Sequence, residues 1–110
     1  MAFNQQRARF APELTYATAM GNGTYLPFSA ALTFNPALII FDNQSTVAVT
    51  ISDDGITDGK TLVAGEAMVL DLRTNKLEPP GELTWSVGTQ FYGKSIAGVG
   101  PVLISMVYAS

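Results

Sequence analysis

Turn signals recur along this chain at a spacing of roughly ten residues, and the stretches between them are too short for helices. Asn22-Gly23, Asn35-Pro36, Asp42-Asn43-Gln44-Ser45, Ser52–Lys60, Ala64-Gly65-Glu66, Thr74-Asn75-Lys76, Glu78-Pro79-Pro80-Gly81-Glu82 and Ser95–Gly100 all carry residues that favour turns. No segment sustains a helical period over ten residues with caps at both ends. The intervening runs are rich in β-branched and aromatic residues, as strands are. Eight or nine short strands follow, and the expected fold is all-β: a single antiparallel β-sandwich or a small jelly-roll-like barrel.

The strands can be placed individually. Leu14–Met20 alternates, and Asn22-Gly23 offers the positive φ angles of a two-residue hairpin turn. Thr24–Phe28 is then the returning strand, with Pro27 at a sheet edge. Ser29–Phe34 continues as another extended or short strand segment, ended by Asn35-Pro36. Ala37–Phe41 (ALIIF) and Thr46–Ile51 (TVAVTI) read as a hairpin across the polar turn between them. Thr61–Ala64 leads into a tight corner, and Ala67–Leu72 alternates again. Leu83–Val87 places Leu83, Trp85 and Val87 on one face, Thr89–Tyr92 is a short strand, and Val102–Tyr108 (VLISMVY) closes the fold.

Two of these strands lack alternation. Ala37–Phe41 and Val102–Tyr108 are apolar on both faces, which predicts central positions in a sheet. One face of each is expected on the core and the other against a second layer or a neighbouring subunit. Composition points the same way. Of the 110 residues 47% are hydrophobic and only 14% charged, against about 25% charged in an average soluble domain. Apolar surface in excess of what one core takes up is expected at contacts with other chains.

Composition also removes several kinds of chemistry. The chain has no cysteine and no histidine, so thiol chemistry, disulfides and the usual neutral-pH base are missing. No Ser-x-x-Lys spacing is present. The carboxylates Asp53, Asp54, Asp58, Glu66 and Asp71 could in principle supply an acid pair. The first three, however, sit where Asp commonly caps turns. Read as a calcium loop, Asp53–Gly59 puts Gly55 at the third ligand position and has no closing glutamate. Neither Gly21-Asn22-Gly23 nor Gly98-Val99-Gly100 matches a phosphate-binding loop. No catalytic residue, cofactor or metal is therefore expected, and the chain is not expected to be an enzyme. Trp85, Phe91, Tyr92 and Tyr108 suggest two roles: core filling, or a stacking platform in a receptor- or glycan-binding module.

Net charge is −3 and unevenly spread. Up to Phe41 the charged residues are Arg7, Arg9 and Glu13; from Asp42 onward eight acidic residues face four basic ones. An acidic body makes nucleic acid an unsuitable partner. The longest apolar run, Ala37–Phe41, is too short to cross a membrane. Met1–Phe10 carries no apolar core of a secretion signal, which predicts synthesis and folding in the cytoplasm. Met1–Pro12 reads as an extended arm ahead of a sandwich domain over 13–110. Phe3, Arg7, Arg9 and Phe10 are its candidate partner-docking residues.

From Phe41 onward the chain has a texture of its own: an Asn-plus-Ser/Thr turn at Asn43–Thr46, Ser-Asp-Asp-Gly at 52–55, Leu-x-Ala-Gly-Glu at 62–66, Leu-Asp-Leu-x-x-Asn at 70–75, Gly-Thr-x-x-Tyr at 88–92 and Ser-x-x-Tyr at 105–108. In these features it resembles the small β-sandwich virion proteins of tailed bacteriophages. The resemblance spans about two-thirds of the chain and leaves out Met1–Phe34. It implies a multi-copy structural role in the virion, either in a ring at the head-to-tail neck (a collar) or as capsid decoration. The implied partners are copies of itself and a portal, connector or major capsid protein.

Overall fold

A computed structural model describes residues 8–72, 76–77, 81–82 and 85–109. Two antiparallel sheets pack face to face. Their strands in chain order are β1 (Ala8–Phe10), β2 (Leu14–Ala17), β3 (Tyr25–Pro27), β4 (Leu38–Asn43), β5 (Val49–Ser52), β6 (Lys60–Leu62), β7 (Ala67–Asp71), β8 (Lys76–Leu77), β9 (Gly81–Glu82), β10 (Tyr92–Lys94) and β11 (Pro101–Ala109). Sheet A runs β1-β11-β4-β7, with β2 also on β11; sheet B runs β3-β10-β5-β6. β8 and β9 pair with each other. This is the expected all-β class, in its sandwich form.

The two doubly apolar strands are central: β4 lies between β11 and β7, and β11 between β4 and the β1/β2 edge. Their inward residues Ile39, Phe41, Val102, Ile104 and Met106 meet Val49, Ile51, Leu62 and Phe91 from the other layer. Tyr16 crosses the core. Its ring lies against Gly93 of β10, and its hydroxyl shares a buried 2.9 Å hydrogen bond with Ser95 Oγ.

The expected hairpin between Ala37–Phe41 and Thr46–Ile51 does not form, because β4 belongs to sheet A and β5 to sheet B. The polar turn is an arch between layers, and buried Asn43 holds it. Asn43 Nδ2 donates to the carbonyls of Val47 (2.9 Å), Leu62 (3.1 Å) and Val63 (3.1 Å), and its Oδ1 accepts from Ser45 N at 3.0 Å. One side chain thus ties the end of a sheet A strand to an edge strand of sheet B. The Asn22-Gly23 hairpin fails in the same way. β2 and β3 lie in different sheets, Thr18–Met20 forms a 3-10 turn, and Asn22 Oδ1 instead accepts from Thr24 N at 3.1 Å.

Three smaller expectations also change. Ser29–Phe34 forms no strand and is irregular, with Leu32 buried within it. Trp85–Val87 is irregular, while Leu83 lies outside the described residues. The strand expected at Thr89–Tyr92 starts at Tyr92. The corner at Ala64-Gly65-Glu66 is present, closed by a 3.0 Å bond from Glu66 N to Val63 O with Gly65 at φ 80. That is the backbone a type II turn requires at its third position.

Candidate interaction surface

The two outer faces of the sandwich differ in chemistry. In an antiparallel pair, directly opposed residues point to the same side. On sheet B the outward rows are Tyr25–Lys94–Thr50–Thr61 and Pro27–Tyr92–Ser52. This face is polar and internally bonded: Thr50 and Thr61 share a 2.9 Å hydrogen bond, and Lys94 Nζ lies 4.7 Å from the Tyr25 ring centre. Lys94 also forms a 3.0 Å ion pair with Asp58.

On sheet A the outward rows are Phe10–Val107–Leu38–Asp71, then Ser105–Ile40–Val69, then Thr15–Leu103–Asp42–Ala67. Phe10, Val107, Leu38, Ile40, Val69 and Leu103 make a continuous apolar field, with Phe10 90% and Val69 58% exposed. Acids stand around it. Asp71 and Asp42 lie in the outward rows, and Glu13 reaches in to accept a 3.0 Å hydrogen bond from Ser105 Oγ.

A one-residue slip in the edge strand turns Phe10 outward. β1 pairs Phe10 with Val107, whereas β2 pairs Leu14 with Ile104, so one extra residue is accommodated at Ala11–Glu13. Without this bulge Phe10 and Leu14 would share a face. With it, Leu14 enters the core and Phe10 stands outside. Pro12, which has no N–H to offer a ladder, sits at the interruption.

Of the docking residues expected in the arm, Arg9 and Phe10 are exposed on β1, which is itself paired to the sheet; Phe3 and Arg7 lie outside the described residues. Arg9 is opposite Tyr108 and so points to the other side from Phe10. The sequence anticipated an outward apolar face for β4 and β11 from their missing alternation. It did not single out Val69, whose strand alternates Met68 and Leu70 inward and gives no sign that its outer side joins the same field.

The acidic loop is occupied by its own architecture. Asp54 Oδ1 accepts 2.8 Å bonds from Ile56 N, Thr57 N and Ser52 Oγ, and the two backbone donors above all hold its carboxyl well below the usual range. Asp58 accepts from the Tyr25 hydroxyl and from Lys94, which lowers its pKa. Tyr25 is pushed up to about 12, by burial first and then by its bond to Asp58. Asp53 accepts from Trp85 Nε1 at 3.1 Å. Among the described residues, no group of three or more potential ligands is arranged to hold a metal ion.

An apolar cleft of about 170 Å³ opens between the layers beside β7, lined by Phe41, Ile51, Met68, Leu70, Trp85 and Phe91. Its three rings pack edge to face, with centroids 5.2–6.3 Å apart. Trp85 and Phe91 thus belong to the core rim, Tyr92 lies outside sheet B under Gly55, and Tyr108 stacks on Phe34 at 4.3 Å. The four aromatics considered as a stacking platform do not share a face. No protein family, curated protein or solved structure matches this chain.

Proposed function

We propose that this chain is a non-catalytic structural subunit of a tailed-bacteriophage virion, present in many copies, at the head-to-tail neck or as capsid decoration. It is made in the host cytoplasm and assembles with copies of itself and with a portal, connector or major capsid protein. The observation that carries the reading is the apolar outer face of sheet A beside the polar outer face of sheet B. At about 4.8 Å between strands and 3.4 Å per residue, that face covers roughly 400 Å². The largest apolar patch on a typical monomer is about 300–600 Å² and is often functional. The virion assignment itself rests on the motifs from Asn43 to Tyr108. Carboxylates bound into loop structure, with neither histidine nor cysteine in the chain, fit a subunit selected for shape. A receptor- or glycan-binding role gains no support from aromatics that point in different directions.

The test is incorporation. Wild-type chain, chain lacking Met1–Arg7 and Val69→Glu chain are supplied during assembly of particles deprived of the native copy. Purified particles are then quantified for the protein by mass spectrometry. Wild type is expected in stoichiometric amount and Val69→Glu strongly depleted. Absence of the wild type from particles overturns the virion reading. Light scattering of the free chain then separates the two placements: a closed ring favours the neck, a monomer favours decoration.

A further inference from the structure

The outer face of sheet A is apolar at its centre and acidic at its margin, and its described outward positions include no basic residue. Two copies stacked face to face would bury about 800 Å² in total, below the ~1,200 Å² at the low end of stable interfaces. They would also bring Asp42 and Asp71 of one copy against those of the other. The face therefore suits an apolar and basic occupant, not its own image.

This chain contains one. Met1–Arg7 (MAFNQQR) carries Met1 and Phe3 as its large apolar residues and Arg7 as its only charged side chain. In an extended segment, residues 3, 5 and 7 project to the same side, with Phe3 and Arg7 about 13 Å apart. Sheet A is four strands wide, about 14 Å between its outermost strand axes. A segment crossing it can rest Phe3 on Ile40 and Leu103 while Arg7 reaches the acidic margin. Ala8 stands opposite Ala109, at the far end of β11. β1 runs antiparallel to β11, so its Ala8 end lies at the carboxyl end of β11.

We infer that Met1–Arg7 of one copy docks across the outer face of sheet A of a second copy, Phe3 on the Ile40–Val69–Leu103 field and Arg7 against Asp42 or Glu13. This contact is head-to-tail: the arm of each copy is given and the face of each copy receives. Such contacts build rings or filaments, the smallest ring being a pair that exchanges arms. The inference rests on the assembly reading above and names the surface that receives the arm.

A chain without cysteine allows a direct test. Full-length Phe3→Cys protein is mixed with full-length Val69→Cys protein, oxidised, and the disulfide-linked heterodimer quantified. Thr61→Cys, on the polar outer face of sheet B, serves as the reference partner. Both receiving positions are exposed, and circular dichroism verifies that each variant is folded. The expected result is at least tenfold more heterodimer with Val69→Cys than with Thr61→Cys. Equal yields overturn the inference. So does a Phe3→Cys/Val69→Cys double variant that closes on itself as a dilute monomer. If chain lacking Met1–Arg7 fails to enter particles while the Val69 cross-link is absent, assembly stands and this receiving surface falls.

Discussion

Replacing Asn43 by Asp tests the arch between the layers with almost no change in shape. The side chain is fully buried. Its Oδ1 still accepts from Ser45 N, but the amide that donates to three carbonyls at 2.9–3.1 Å becomes a second oxygen. An ionised carboxylate there faces three acceptors without water, so the folded chain does better to keep the new carboxyl protonated. Holding a proton at pH 7 on a group with an unfolded pKa of about 3.9 costs about 4 kcal/mol. One lost N–H donor adds about 1 kcal/mol. A deficit of about 4–5 kcal/mol is a large share of the 5–15 kcal/mol typical of a domain. The folded pKa is raised above the unfolded one, so the folded state binds more protons between them and stability falls as pH rises through that window, by about 1.4 kcal/mol per unit. Urea unfolding of Asn43→Asp and wild type, paired at each pH from about 4 to 7, measures this. The gap should shrink to about 1–2 kcal/mol near pH 4. A deficit under 1 kcal/mol at pH 7, or one that does not vary with pH, refutes the assignment of the three donor contacts.

Two further outcomes are expected. A Cβ on Gly93 would stand 2.8 Å from Tyr16 Cδ2, in a ring that is 2% exposed and tethered through its hydroxyl. Gly93→Ala should therefore cost about 2 kcal/mol by overpacking and lower Tm by roughly 8 °C in a thermal melt; an unchanged Tm would show that the Tyr16 ring gives way freely. Of the four tyrosines, Tyr25 should ionise near 12 in an absorbance titration, and Asp58→Ala should bring it down. Because its folded pKa lies above the unfolded value near 10, its contribution to stability is complete below about pH 10 and lost as pH climbs towards 12. A Tyr25→Phe variant that leaves the titration curve unchanged at its alkaline end would contradict this.

The legible part of the fold and the illegible part have different physical origins. Strand existence is local: β-branched residues and turn formers act within a few residues. Val49–Ile51 of the expected Thr46–Ile51 run is strand, Thr46–Ala48 is not, and the Ala64-Gly65-Glu66 corner is a turn. Layer assignment is not local. Asp42-Asn43-Gln44-Ser45 has the composition of a hairpin turn, yet Asn43 finds its acceptors 19 and 20 residues away, at Leu62 and Val63. A turn that folds back within one sheet and an arch that crosses to the other can be written with the same residues. What separates them is which distant backbone groups need a donor, and no short-range pattern carries that.

The same distinction governs the interaction surface. Unbroken hydrophobicity in ALIIF and VLISMVY predicts a second apolar face because a strand with both sides apolar cannot satisfy both with one core. Phe10 is different. By simple alternation along one strand it would share a face with Leu14. The extra residue at Ala11–Glu13 separates them, and it sends the larger side chain outward onto Val107 while the smaller one fills the core. A bulge that served only to end the pairing could have left Phe10 beside the core, where burial of a Phe is worth about 2–3 kcal/mol. Giving up that stabilisation places a 90% exposed ring at the end of the Val107–Leu38 row. The isolated fold gains nothing from it there, whereas a docked neighbour would cover it, so the local geometry of one edge strand supports the same conclusion as the chemistry of the whole face.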